Sequence, residues 1–222
     1  MEELWVCHLG VVDYREAWDL QERLRAARQE GELPDVLLTL EHPPVYTRGR
    51  RSQPMADVHG IEVVETDRGG LVTYHGPGQL VGYPIVRVDD VVGYVRTLEN
   101  ALVRALVDEG VAGARSRPRE GHRYTGVWVE DRKIASIGVH LSRGVSTHGF
   151  AVNVENDLEP FSWIVPCGLD GVQMTSLLRE TGRTPSVMKC FRRRAAFEVA
   201  RGLGRRQRLV SLARLETRVP VA

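Results

Sequence analysis

The sequence predicts one mixed α/β domain, of the α+β kind, with a mostly antiparallel mixed sheet flanked by helices. Three observations predict it. Hairpin-like and helical segments follow one another irregularly, unlike the strict strand–helix alternation of a wound parallel sheet. No segment repeats and none is of low complexity, while 222 residues suffice for one well-cored domain. The hydrophobic and charged fractions, 42% and 27%, are those of an ordinary globular chain.

The elements follow in order. "LWVCHL" reads as the first strand. "DYREAWDLQERLRAARQEG" reads as a helix: Asp13 and Glu16 have capping-box spacing, Ala17, Leu20, Leu24 and Ala27 share a face, and Gly31 stops it. "DVLLTLE" is a buried strand ended by His42-Pro43-Pro44, and an arginine-rich loop, "TRGRRSQP", follows. "IEVVET" and "RGGLVTYHGPGQLVGYP" read as strand regions, the second weakened by five glycines. Glycine inside a strand marks a bulge or a close backbone approach. A helix runs from about Val91 to Glu109, with Asp89 or Asp90 as its cap and Gly110 as its stop.

Beyond the polar connection "GARSRPREGHRY", "TGVWVEDRKIASIGVHL" reads as a hairpin turned at Asp131-Arg132. "THGFAVNVE" is a strand and "VQMTSLLRE" a short helix. A third long helix starts at Thr184-Pro185, with proline in its favoured first turn. From about Gly204 the chain is basic and weakly patterned, a strand or a weakly ordered tail.

Composition narrows the setting. A net charge of +1 points to neither nucleic acid nor membrane as a partner. No apolar run has the length of a membrane span. The acidic start, "MEELWVCHLG", lacks the basic-then-apolar order of a signal peptide. Three scattered cysteines make no disulfide framework, so a reduced, cytoplasmic setting is expected.

The chemistry concentrates on few residues. Cys7 and Cys190 read as small buried hydrophobes, in a strand and a helix. Cys167 differs: Pro166 fixes its approach and Gly168 lets the backbone bend, so "VPCGLDG" reads either as a presented nucleophile or as an ordinary turn cysteine. A thiol with a pKa of about 8.5 needs a nearby cation at neutral pH. Of the 30 basic residues only Lys133 and Lys189 are lysine. Unlike arginine, a lysine amine can give up its proton. Lys189 lies in the solvated run "MKCFRRR". Lys133 opens "KIASIGVHL", where alternation puts it on the face of Ala135, Ile137 and Val139, either snorkelling or in a dry pocket. His75 and His148 are the rival partners for a cysteine; His8, His42, His59 and His122 read as loop or edge residues. No metal is expected, because no histidine pair has helical i, i+4 spacing and no CxxC occurs. The glycine-rich stretch lacks the lysine and the helix start of a phosphate loop, so an extended apolar ligand suits it better.

Three segments, "RGGLVTYHGPGQLVGYPI", "GVWVEDRKIASIGVHLSRGVSTHGFAVNV" and "IVPCGLDGVQMTSL", together resemble the lipoyl(octanoyl) transferase family, the octanoyl-acyl-carrier-protein:protein N-octanoyltransferases. The resemblance covers roughly residues 35 to 180. It implies the fold of biotin and lipoate protein ligases. It implies an octanoyl donor on acyl carrier protein, with lysines of lipoyl domains as acceptors, in 2-oxoacid dehydrogenase complexes and the glycine cleavage carrier protein. It implies an acyl-thioester on Cys167, with Lys133 lowering the thiol pKa and serving as general acid and base. It also implies acyl binding by Arg68, Gly69, Gly70, Leu71, Val72, Thr73, Tyr74 and His75, by Ser136, Ile137 and Gly138, and by Gly149, Phe150 and Ala151. No ATP, metal or other cofactor is expected, and the carrier brings its own phosphopantetheine. The rival readings are an ATP-dependent ligase of the same fold, a cysteine–histidine acyl hydrolase, and an acyl-binding module without catalysis.

Overall fold

The computed structural model describes residues 2–165, 171–183 and 187–219. Their strands and helices, in chain order, are β1 (Glu3–Val11), α1 (Tyr14–Glu30), β2 (Asp35–Glu41), β3 (Val45–Arg48), β4 (Val63–Glu65), β5 (Val72–His75), β6 (Gln79–Ile85), α2 (Val91–Asp108), β7 (Ala114–Arg115), β8 (Gly126–Val129), β9 (Arg132–Ser142), β10 (Val145–Asn153), β11 (Gln173–Met174), α3 (Leu177–Thr181), α4 (Val187–Gly202), β12 (Arg206–Leu209) and α5 (Leu212–Glu216). The local signals of the sequence are mostly kept: Asp13 caps α1 by accepting from the Arg15 and Glu16 N–H groups, Gly31 ends it in a left-handed turn, and Asp90 caps α2.

The large sheet runs in the order β12-β1-β2-β6-β10-β9-β8-β7, with β11 added beside β9. Its β1–β12, β1–β2 and β9–β11 pairs are parallel and its other pairs antiparallel, so the sheet is mixed and mostly antiparallel, as expected. On one face α2 and α4 pack Leu98, Leu102, Phe191 and Val199 against Val127, Ala135, Phe150 and Val152. On the other, α1 and α5 pack Leu20, Leu24 and Leu215 against Val36, Leu38, Val81 and Ala151. A separate small sheet, β4-β3-β5, packs Tyr46 and Tyr74 with Phe161 and Met174.

Four local expectations are corrected. Thr47 and Arg48 belong to β3, paired with Thr73 and Val72, and not to an arginine-rich loop. The hairpin turns at Glu130-Asp131, one residue early, because Val129 pairs Arg132 and Glu130 takes the left-handed φ of +51°. "VQMTSLLRE" is not one helix: Gln173 and Met174 pair with Arg132 and Lys133 in the sheet, and the helix begins only after Ser176 caps the Arg179 N–H. Strand pairing outweighs helix preference in so short a segment. Cys190 is exposed on α4, whereas Cys7 is buried in β1, where burial pushes its thiol up to about 11. The Thr184-Pro185 helix start lies outside the described residues. Beyond Gly204, β12 pairs with β1 and α5 buries Leu215.

One buried carboxylate joins distant parts of this frame. Asp35, 3% exposed at the start of β2, accepts from Arg28 of α1 at 2.8 Å, from Arg205 at 3.0 Å and from the Arg87 N–H at 3.1 Å. Its loss takes the carboxylate partner from Arg28 and leaves Arg205 with Glu2 alone, at 2.9 Å, as its carboxylate. Asp35→Ala is therefore expected to cost about 3 kcal/mol in urea denaturation and to speed amide exchange in β12; an unchanged midpoint would remove Asp35 from this role.

A second buried polar group lies under the small sheet. His42 donates from Nδ1 to the Val12 carbonyl (2.7 Å) and accepts at Nε2 from the Tyr83 hydroxyl (2.7 Å). His75 donates from Nδ1 to the Gln79 side-chain carbonyl (2.7 Å) and faces Thr47 Oγ1 through Nε2 (3.4 Å). Burial holds His42 down to about 4 and His75 down to about 3, with His42 adding to the second shift. Both rings are neutral in the fold at pH 6, whereas the unfolded chain takes up the protons. The unfolded state then binds more protons, so stability rises with pH. Stability should be level above about pH 7 and fall from pH 6.5 towards 5; denaturation midpoints across that range, flatter in His42→Gln, are the check.

Candidate functional site

The site is built where β9 and β10 break the alternation of the sheet. Val127 pairs with Ala135 but its neighbour Trp128 pairs with Lys133, so Ile134 is an extra residue, a bulge. Adjacent residues of β8 point to opposite faces, and their partners do too. Ala135 joins the α2–α4 core, while Lys133 turns to the Trp128 face, its Nζ 5.2 Å from the indole centroid. This corrects the expected shared face with Ala135, whereas Ile137 of the same row does line a cavity together with Lys133. The lysine is only 1% exposed, in contrast to exposed Lys189. Gly126 makes room for it: a Cβ there would collide with the Ala135 carbonyl and stand 2.9 Å from Lys133 Cε. The Gly126 N–H is held by buried Glu99 at 2.8 Å.

The second break is at His148. Its neighbours at alternate positions, Ser146, Phe150 and Val152, face α2 and the core below it. His148 has a left-handed φ of +56°, and its ring sits instead with Tyr14 and Trp18 of α1. Left-handed backbone is costly for a residue with a Cβ, so surrounding contacts must hold it. The fully buried Gln21 of α1 accepts the His148 N–H at 2.7 Å, and Asp67 accepts from Nε2 at 2.7 Å. Burial keeps His148 below the ordinary imidazole range, which favours the neutral ring with its proton on Nε2. Hydrogen bonding from His148 holds the Asp67 carboxyl below its usual range.

Between the small and large sheets lies a narrow slot lined mostly by apolar surface. It gathers Arg68, Gly70, Leu71, Val72, Thr73 and His75 from one side, and Ser136, Ile137, Gly138, Gly149, Phe150 and Ala151 from the other. Gly69 lies outside the lining; its N–H bonds the Val139 carbonyl at 3.0 Å and fastens the loop to β9. A Cβ on Gly138 would stand 2.9 Å from the Gly69 carbonyl, so here the glycines let backbone meet backbone. Tyr74 points away, into the small-sheet cluster, 5.3 Å from the Tyr46 ring and 5.5 Å from Phe161. Arg68 is 8% exposed and holds the loop, donating to the Thr47 carbonyl (2.6 Å), to Thr47 Oγ1 (2.8 Å) and to the Gly69 carbonyl (3.0 Å).

A second cavity, lined by Lys133, Arg51, His122, Arg123 and Thr125, shares Gly70, Leu71 and Ile137 with the slot. Lys133 thus stands at the mouth of the apolar slot. His75 and His148 line the slot, but the nitrogens of each ring are engaged: Gln79 and Thr47 for the first, Asp67 and Tyr14 for the second. Cys167, with Pro166 and Gly168, lies outside the described residues. Among the described residues no cluster of histidine, cysteine and carboxylate is arranged to hold a metal, and no helix is long and apolar enough to cross a membrane.

Sequence reasoning missed Tyr14, Val81 and Tyr83, which also line the slot, and Asp67, which holds His148. Tyr83 stood within the glycine-rich stretch and Asp67 directly before it, so position was an available signal. Tyr14 carried none, because it opens a helix far away in sequence.

Comparison with known proteins agrees with this architecture. An octanoyltransferase of Mycobacterium leprae strain TN is 50% identical over 195 residues, covering 82% of this chain and 80% of its own. One from Acidothermus cellulolyticus is 50% identical over 184 residues, covering 81% and 83%. Among solved structures, a lipoate-protein ligase A bound with ATP aligns with a TM-score of 0.76 at 20% identity, over 98% of this chain and 92% of the other. The biotin protein ligase of Aquifex aeolicus aligns with a TM-score of 0.52 at 13% identity, over 92% and 70%. The expected fold is therefore the observed one. The family model for the lipoyl protein ligase A/B catalytic domain matches residues 13–196, and the chain belongs to that family.

Proposed function

We propose that this protein is an octanoyltransferase of protein lipoylation, moving an octanoyl group from acyl carrier protein to a lysine of a lipoyl domain by way of Cys167. The observation that carries the reading is the buried Lys133 at the mouth of an apolar slot, on a chain half identical to proteins named octanoyltransferase. A lysine with 1% exposure is uncommon unless its surroundings use it. The pairing of β11 with β9 supports the partner: Met174 lies beside Lys133, and the Thr175 N–H bonds the Lys133 carbonyl at 3.0 Å. The chain that carries Cys167 is thereby tied to the lysine's own strand.

In this scheme Lys133 stabilises the Cys167 thiolate, which attacks the thioester carbon of the donor. A carbon–sulfur bond to Cys167 forms and the bond to the phosphopantetheine sulfur breaks; that sulfur leaves as a thiol with a proton delivered by Lys133. The acceptor lysine then attacks the acyl-cysteine as a free amine, its proton passes to Lys133, and Cys167 departs as thiolate. One thioester replaces another of similar energy, so neither ATP nor a metal enters. Leu71, Val72 and Ile137 supply apolar wall for the acyl chain. A cysteine–histidine hydrolase is less well supported, because the histidines of the slot already use their ring nitrogens on other partners. The acceptor reading fits a family of lipoyl ligases, and Arg51 and Arg123 at the mouth suit an acidic donor protein.

The test is intact mass after mixing with octanoyl-carrier protein in the absence of ATP. Wild type should gain an octanoyl group that hydroxylamine removes, and Cys167→Ala should neither gain it nor acylate a lipoyl domain. Lys133→Arg keeps the charge but loses the proton relay, and transfer should fall by ~10²–10⁴-fold. Transfer that survives without Cys167, or that requires ATP, would overturn the scheme in favour of a ligase.

A further inference from the structure

The cavity beside Lys133 carries charge of one sign. Arg51, His122 and Arg123 stand exposed at its rim, Thr125 is half-buried, and Lys133 is buried at its inner end. No carboxylate of the described residues lines it. Arg51 and Arg123 make no ion pair with any described residue, although their loop neighbours do. Arg48 pairs with Glu65 at 2.6 Å, and Arg117 pairs with Asp131 and, at 3.4 Å, with Glu120. Both loops are fastened to the site. The Gly49 N–H bonds the Leu71 carbonyl at 3.3 Å and the Arg50 N–H bonds the Arg68 carbonyl at 3.2 Å, which holds the turn of Arg51 on the roof of the slot. The segment of Arg123 is held on Trp128, whose indole N–H donates to the Tyr124 carbonyl at 2.8 Å. Trp128 is also the ring beside the Lys133 amine. The backbone thus brings two positive side chains to one opening with no carboxylate between them.

Like charges gathered in this way repel, and an anion with several acceptor oxygens relieves the repulsion. A phosphate suits the set: its oxygens can accept from two guanidinium groups, an imidazole and the Thr125 hydroxyl together. The order of groups along the cavity narrows its source. A thioester that meets Lys133 enters from the solvent side, past Arg51 and Arg123. The phosphopantetheine arm of the donor carries its thioester at one end and its phosphodiester at the other, next to the carrier. Resting on the reading of this protein as an octanoyltransferase, we propose that Arg51 and Arg123 bind that phosphodiester and so set how far the arm enters. They are binding residues for the arm itself, whatever the faces of the two proteins contribute, and take no part in the chemistry at Lys133. A nucleotide phosphate is the other source of the same chemistry, the one an ATP-dependent ligase of this fold would supply.

The experiment compares two free donors, octanoyl-phosphopantetheine and octanoyl-pantetheine, which lacks the phosphate. Transfer to one lipoyl domain without ATP is read by intact mass. Wild type should show a kcat/KM about tenfold or more higher for the phosphorylated donor, through KM. Arg51→Gln combined with Arg123→Gln should bring that ratio close to one. Arg143→Gln, at an exposed arginine of the β9–β10 turn, should leave it unchanged. Equal use of both donors by wild type, or a ratio that the double variant keeps, would overturn the site. If the double variant loses both donors, the two single variants are compared, and a ratio unchanged in each overturns it. Should wild type use neither small donor, calorimetric binding of phosphopantetheine, pantetheine and ATP replaces the comparison. Phosphopantetheine should then bind most tightly, and the double variant should lose its advantage over pantetheine; tighter binding of ATP, lost in the double variant, would assign the site to a nucleotide. If octanoyl-carrier protein goes unused as well, the proposed reaction has failed, and the binding result still decides the phosphate site separately.

Discussion

Sheet alternation is the constraint on which this molecule turns, because it is obeyed nearly everywhere and broken at two places that matter. Period-two geometry sends every other residue of β9 and β10 into the α2–α4 core. An extra residue at Ile134 lifts Lys133 out of that core, and a left-handed backbone at His148 does the same for its ring. Both side chains arrive on the face covered by the small sheet. The slot exists there because β9 and β10 form its floor plane and β5 its roof. Without these two irregularities the strands would be as regular as any others, and the site would have neither its lysine nor its inner wall.

Each irregularity is held by buried polar groups on the helices that flank the sheet. Gln21 is fully buried and spends its carbonyl on the His148 N–H. Gly126, tethered by Glu99, leaves the space in which the Lys133 side chain lies. A further chain of hydrogen bonds runs through the interior from Arg68 to Thr47, His75, Gln79, Asn153 and the Thr175 carbonyl. It starts at the loop roofing the slot and ends beside the strand of Lys133. In a low-dielectric interior such a chain is worth keeping whole, since any missing member leaves its neighbours unsatisfied.

Much of this was legible in the sequence. Capping signals at Asp13 and Asp90, the Gly31 stop and the hydrophobic faces of the long helices are local, and they predicted local facts correctly. Three motifs far apart in sequence pointed to one site, and two of them do line one slot. What could not be read was anything set by register. The bulge at Ile134 leaves no mark in "KIASIGVHL", so the alternation rule put Lys133 on the face of Ala135, which the structure sends into the core. The two-residue β11 was hidden in a helical pattern because only its partner makes it a strand. Tyr14 became part of the slot through tertiary packing alone, and Cys190 looked buried only because its helix was judged without its neighbours.

The short strand β11 has a consequence for entropy. In the bare chain, Lys133 and Cys167 are joined by the whole length of β9, β10 and the turns after them. The hydrogen bond from Thr175 to the Lys133 carbonyl replaces that path with the few residues between Cys167 and Thr175. Loop-closure cost falls by about 0.6 kcal/mol for each halving of the connecting length, and the tether halves it roughly twice. In the proposed scheme, about 1.2 kcal/mol of the cost of bringing thiol to amine is thus met before any substrate arrives. Under the same scheme, two strand residues, too short to matter for the stability of the sheet, raise the effective concentration of the Cys167 thiol around the Lys133 amine.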